Sequence, residues 1–144
     1  MKNLKERVKN YDTEFIEFKE KVRTVKQAEE LLGISSREII KSLVMIGDEP
    51  ILCIIPGNKS IDFKKLRKFC ENIRLATEEE VLNITGYKVG GVPPILDIKV
   101  LIDKRVMNKE YVYGGGGSEH ALLKIKPQDI VKINRNIEIV NIAK

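Results

Sequence analysis

The chain contains no tryptophan, one histidine (His120) and two cysteines (Cys53 and Cys70), and each scarcity removes a class of chemistry. A single histidine and no C-x-x-C spacing leave too few ligands for a tetrahedral zinc site, so no metal is expected. Neither cysteine has a histidine nearby or a framework of partners, and both read as buried hydrophobes rather than disulfide or redox residues. A nucleophilic triad is also unsupported, because no G-x-S-x-G or caspase-like context surrounds any serine or cysteine. No apolar run approaches the roughly 20 residues that span a bilayer. The opening Met-Lys-Asn-Leu-Lys-Glu-Arg is charged throughout, unlike a secretory leader, so a soluble, cytoplasmic protein is expected.

What is present fits one globular domain. The 144 residues are 42% hydrophobic and 33% charged, with ten glycines and only five prolines, a composition that can bury a core. Lysine and arginine (26) outnumber aspartate and glutamate (21), giving +5. That excess allows a polyanionic partner such as nucleic acid, and it is equally a solubility device.

Local patterning divides the chain into short elements. Leu4, Val8, Tyr11 and Phe15 have helical spacing, whereas Phe15, Ile16 and Phe18 equally suit a strand. Thr24 caps a helix carrying Val25, Ala28, Leu31 and Leu32, and Gly33 ends it. Ser35-Ser36-Arg37-Glu38 reads as a capping box before a strand reaching Ile46. Gly47-Asp48-Glu49 turns into an antiparallel partner that Pro56-Gly57-Asn58 breaks. Ile61, Leu66 and Phe69, with lysines and an arginine between them, predict an amphipathic helix. A short strand at 73–76, a helix capped by Thr77 and Glu80, an irregular loop at 87–94, strands at 98–102, 111–113 and 121–125, a helix from Pro127 and a strand at 137–142 complete the pattern. Strands and short helices alternate without the long-helix rhythm of a doubly wound sheet. The expected fold is α/β: a single domain with a mixed, largely antiparallel sheet flanked by short helices.

Three features invite chemistry, each with a plainer alternative. Residues 114–117 are four consecutive glycines, which would let backbone N–H groups face an anion, or would simply make a flexible hairpin turn. Lys41 lies among Ile39, Ile40, Leu43 and Val44; on a strand it shares a face with Leu43 and Met45 and points inward, or it snorkels to water. His120, beside the glycines, is either a site residue or a surface histidine.

In order along the chain, these segments resemble the YbaK family, which shares a fold with the editing domain inserted in bacterial prolyl-tRNA synthetases. The matching segments are Thr24-Val25-Lys26-Gln27-Ala28-Glu29-Glu30-Leu31-Leu32-Gly33, the strand Ile39-Ile40-Lys41-Ser42-Leu43-Val44, and the turn Pro56-Gly57-Asn58-Lys59-Ser60-Ile61-Asp62. The most specific is Thr85-Gly86-Tyr87-Lys88-Val89-Gly90-Gly91-Val92-Pro93-Pro94, followed by Leu101-Ile102-Asp103 and the strand and glycine loop from Tyr111. The resemblance spans about residues 24 to 142. It implies an editing domain at 24–144, preceded by an N-terminal extension at 1–23 that packs on it or leads into it.

The resemblance further implies a free-standing, trans-acting deacylase that hydrolyses the ester of a mischarged tRNA without a protein nucleophile or a cofactor. Lys41 and Gly90 correspond to the family's catalytic positions. Ser42, Tyr87, Gly91, Gly115, Gly116 and His120 are the expected substrate-binding residues. The implied partner is the 3′ acceptor end of aminoacyl-tRNA, with an aminoacyl-tRNA synthetase as a second candidate and no membrane. Some members carry an aspartate in the strand after the second glycine loop and lack a histidine at the position of His120; here that strand reads Ala121-Leu122-Leu123. The departure leaves the amino acid removed open between cysteine and alanine. It also motivates the alternative of a non-catalytic aminoacyl-tRNA or nucleotide binding module.

Overall fold

In the computed structural model, which describes residues 3–144, thirteen short helices and strands follow one another in the order α1 (Leu4–Val8), β1 (Glu14–Glu17), α2 (Val25–Leu32), β2 (Ile40–Ile46), β3 (Pro50–Pro56), α3 (Phe63–Leu66), β4 (Arg74–Leu75), α4 (Glu78–Thr85), β5 (Lys99–Asp103), β6 (Val112–Gly115), β7 (Ala121–Ile125), α5 (Pro127–Ile133) and β8 (Ile137–Val140). Among the described residues, no helix is long and apolar enough to cross a membrane.

Five strands form one sheet in the order β4-β2-β3-β5-β8, and three form a second in the order β1-β7-β6. Four ladders are antiparallel, while β3 with β5 and β5 with β8 are parallel, so the fold is the mixed, largely antiparallel α/β class. The central strands β3 and β5 are apolar because both faces are covered. Along them the side chains alternate between two cores. Leu52, Ile54, Val100 and Ile102 face the larger core, which also takes Leu4 and Val8 of α1, Val81 of α4, Leu123 and Ile125 of β7, and Ile130 of α5. Ile51, Cys53, Ile55 and Leu101 face a second core closed by Leu66 and Ile142. Burial pushes the Cys53 thiol up to about 12, so it behaves as a hydrophobe.

Local signals set the helix ends. Thr24 and Thr77 each make a reciprocal capping box, with Gln27 and Glu80, and the helices stop at Gly33 and Gly86 in left-handed conformation. Pairing with Arg74, then the bond from the Thr77 backbone, holds the Glu80 carboxyl down at about 2. Other expectations are revised. The Ser35 hydroxyl caps only a single 3-10 turn, Ser36–Glu38, by accepting from Arg37 N; it is Glu29 that receives the Ser36 N–H, at 3.0 Å. The expected amphipathic helix shrinks to α3, because Asp62 caps it late and Ile61 is drawn into a bridge with Ala143. The N-terminal ambiguity resolves as both forms: a helical turn whose Leu4 and Val8 are buried, then a strand paired to β7.

Candidate functional site

Where the two sheets meet, Ile39 bridges Tyr113 just before β2 begins. Lys41 and Ser42 follow immediately, and successive strand residues face opposite sides. Lys41 lies opposite Ile55 in the β2–β3 ladder. Past the end of β3, the turn returns: Gly57 N donates to Ile39 O at 2.6 Å and Lys59 N to Pro56 O at 3.0 Å. That fold-back sets the Lys59 carbonyl over β2, where it accepts a 2.6 Å hydrogen bond from Lys41 Nζ. An ammonium has three donors, so this bond aims the group and leaves two free.

The other wall is backbone. Gly90 has φ +93°, and a Cβ there would lie 2.9 Å from Arg23 Cα, so both conformation and packing demand glycine. Gly91 accepts a 2.9 Å bond from Gly117 N, and a Cβ on Gly115 would run into the Val92 carbonyl. The glycine run is divided between strand and turn: Gly116 and Gly117 open the hairpin connection from β6 to β7, with Gly116 N donating to Ala121 O at 3.0 Å. Gly114 and Gly115 belong to β6, and the run lets one backbone lie flat against another. Among the described residues, the N–H groups of Gly90 and Val92 donate to no protein acceptor.

Between these walls is a cavity of about 140 Å³, bordered by Val25 and Ala28 of α2, residues 39–43, Val89, Gly90 and Val92, and Tyr113, Gly115 and Leu122. A second, mainly apolar hollow of about 280 Å³ adjoins it, sharing Ser42, Val89, Gly90 and Val92. Ser42 borders both, and its Oγ is buried without a hydrogen-bond partner. At the rim, Arg23 ties three elements together: its guanidinium pairs with Glu78 at 3.0 Å and with Glu119 at 3.0 Å.

The structure thus brings Lys41, Ser42, Gly90 and Gly115 to one cavity. Gly91 stands behind its wall, where a Cβ would meet the Ser118 backbone at about 3.0 Å. Tyr87 and Gly116 line a separate groove with Gly117 and Phe15. His120 is exposed in the turn before β7, and its Nδ1 lies 3.1 Å from the Glu20 carbonyl. Its own carbonyl accepts from Phe18 N at 2.8 Å, so it seams the N-terminal segment to the small sheet rather than entering the cavity. Sequence reasoning missed the α2 wall and Tyr113. Val25 and Ala28 had looked like ordinary core positions, and only the tertiary meeting of α2 with β6 gives them a cavity.

The aminoacyl-tRNA editing domain family matches residues 19–133. A Bacillus subtilis protein, YwhH, is 30% identical over 141 residues, covering 94% of this chain and 90% of its own length. The proline–tRNA ligase of Thermosipho africanus is 29% identical over 125 residues; the match covers 83% of this chain but only 22% of the ligase. Among solved structures, the protein APE2540 superposes with a TM-score of 0.90 at 32% identity over 98% of this chain and 99% of its own. A candidate trans-editing enzyme for prolyl tRNA synthetase, at 24% identity, shares the fold with a TM-score of 0.86, over 98% of this chain and 94% of its own. The chain belongs to the aminoacyl-tRNA editing domain family.

Proposed function

We propose that the protein acts in trans as an aminoacyl-tRNA deacylase that removes a small, wrongly attached amino acid. The observation that carries this reading is one small cavity whose bordering residues keep unsatisfied polar groups: Lys41, with two free donors on Nζ; Ser42, with an unpartnered buried Oγ; and Gly90 and Val92, with unengaged N–H groups. An aminoacyl ester is already activated, so positioning and oxyanion stabilisation suffice without a protein nucleophile. Water adds to the acyl carbon, charge develops on the carbonyl oxygen beside the free N–H donors, and collapse expels the ribose oxygen, which takes a proton. The products are the free amino acid and tRNA.

Lys41 holds the 3′ end through its ammonium, oriented by the Lys59 carbonyl. The neighbouring ribose hydroxyl activates the water in this reading, which the lining of the 140 Å³ cavity, free of histidine and carboxylate side chains, supports. A volume of about 140 Å³ accommodates a small acyl group such as alanyl or cysteinyl, the size class this reading assigns to the substrate. Proline–tRNA ligases carry a homologous segment, which makes the proline acceptor the first tRNA to test.

The test is deacylation of a panel of mischarged tRNAs by the purified protein and by Lys41→Ala. Turnover of tRNA carrying alanine or cysteine, reduced at least about 100-fold in the variant, is expected. No turnover of any substrate, with tRNA bound and its ester intact, would point instead to a binding module. Full activity in Lys41→Ala would overturn the assignment of the site.

A further inference from the structure

The net charge of the chain is concentrated in one short stretch. Residues 59–69 hold Lys59, Lys64, Lys65, Arg67 and Lys68 against a single carboxylate, Asp62, which is +4 of the whole chain's +5. Asp62 is committed to capping α3, accepting from Lys64 N at 3.0 Å and Lys65 N at 3.3 Å. The Lys65 ammonium is also committed, to Asn141 Oδ1 at 3.2 Å and Ala143 O at 3.0 Å. The side chains of Lys59, Lys64, Arg67 and Lys68 remain. All four residues are exposed, and among the described residues none has a carboxylate within 4.0 Å. Asp48 and Glu71 border the same shallow depression as Arg67 and Lys68 without pairing with them.

The geometry makes these cations one surface. The helical turn continues past α3, with Arg67 N on Phe63 O at 2.9 Å and Lys68 N on Lys65 O at 3.2 Å. Lys64, Arg67 and Lys68 therefore stand at i, i+3 and i+4, on a common face. The Arg67 guanidinium lies 5.5 Å from the ring centre of Phe63, itself 37% exposed. Protein surfaces ordinarily intersperse the two signs, and a patch of one sign raises the local concentration of a counter-charged partner. The face also begins at the site: Lys59 is the residue whose carbonyl holds the Lys41 ammonium. A cavity of about 140 Å³ is far too small for a helical stem, so a polyanionic stem has to be held outside it.

We propose that residues 59–69 are the docking face for the acceptor arm of aminoacyl-tRNA, with Lys64, Arg67 and Lys68 on backbone phosphates and Lys59 leading the 3′ strand toward Lys41. The inference rests on the deacylase reading of the cavity and adds where the stem lies. Phosphate contacts carry no base information, so this face supplies affinity without selecting the tRNA.

The deciding experiment compares wild type with a triple variant, Lys64→Gln, Arg67→Gln and Lys68→Gln, on mischarged tRNA between 50 and 200 mM salt (roughly the range in which such contacts are lost) and on an aminoacyl-adenosine that has no stem. On tRNA at the lowest salt, the variant's kcat/KM should fall roughly 10- to 100-fold, and the log–log salt slope should be shallower by about 2 to 3. Turnover of the aminoacyl-adenosine should be unchanged, which also reports an intact fold. Unchanged kcat/KM and slope on tRNA would overturn the proposal, as would an equal loss on both substrates. If wild type hydrolyses neither substrate, it is the deacylase reading that fails. Binding of uncharged tRNA by the two proteins at low salt then still decides the docking face: weaker binding by the variant supports it, and equal binding overturns it.

Discussion

Asp103 on β5 and Ser42 on β2 are polar side chains enclosed by the same five-stranded sheet, separated by β3, and their surroundings differ in kind. The Asp103 carboxylate accepts from Ile142 N at 2.9 Å, Ala143 N at 2.8 Å, and Arg105 N and its guanidinium at 2.9 and 3.2 Å. Burial opposes its charge, but the three backbone N–H groups and the guanidinium outweigh that and hold its pKa below the ordinary carboxylate value. The bonds pin the C-terminal segment, which in turn supports α3 through Lys65 and the turn at Ser60 through Lys144 N. Ser42 Oγ has no partner. A buried polar group without a partner costs free energy, and Ser42 borders the cavity that is also lined by Gly90 and Val92, whose N–H groups have no protein acceptor among the described residues. A saturated polar cluster builds the fold; an unsaturated one is left for a ligand.

Substitutions should separate the two. Asp103→Ala strands two buried backbone donors and a part-buried third and should cost about 3 to 5 kcal/mol of stability, read by denaturant unfolding, while any folded fraction keeps its specific activity. Because the folded pKa of Asp103 is depressed, its contribution is complete at neutral pH. It should be lost only as pH falls below the unfolded value, about 3.9, through the folded one; a contribution that declines with rising pH would contradict the pairing. Gly90→Ala belongs to both classes. It forces a side chain to φ +93° and against the Arg23 backbone, so about 1 to 3 kcal/mol of destabilisation should accompany a loss of deacylation. Ser42→Ala removes no hydrogen bond within the protein. Its stability should rise, by up to about 1 to 3 kcal/mol, while deacylation falls about tenfold. A large loss of stability there would mean that the hydroxyl is structural after all.

Much of this was legible in the sequence, for local reasons. Thr24, Thr77, Gly33 and Gly86 marked helix ends because caps act within one turn. The β2–β3 hairpin was readable from two apolar runs around Gly47-Asp48-Glu49. Strand alternation put Lys41 on the face of Leu43 and Met45 but left it open between pointing inward and snorkelling to water, because its partner, the Lys59 carbonyl, depended on how the chain folds back after Pro56. What escaped was non-local. Periodicity at Ile61, Leu66 and Phe69 suggested one helix, but Ile61 is taken by Ala143 from the far end of the chain. The division of the strands into two sheets depends on which edges meet, and that meeting is what makes Val25, Ala28 and Tyr113 cavity residues. The nearness of His120 to the glycine run in sequence said nothing of its direction, which the contacts with Phe18 and Glu20 turn away from the cavity.

The central claim is that the cavity between Lys41 and Gly90 holds the aminoacyl ester. The most direct test fills that cavity from its far wall: Ala28→Leu, a residue that touches neither Lys41 nor its anchor in the hydrogen-bond network, assayed by single-turnover hydrolysis of alanyl-tRNA alongside binding of uncharged tRNA. The account predicts hydrolysis lowered at least about tenfold by a side chain occupying the substrate's space, with tRNA affinity and the folded state retained. Undiminished hydrolysis with the cavity filled would contradict it.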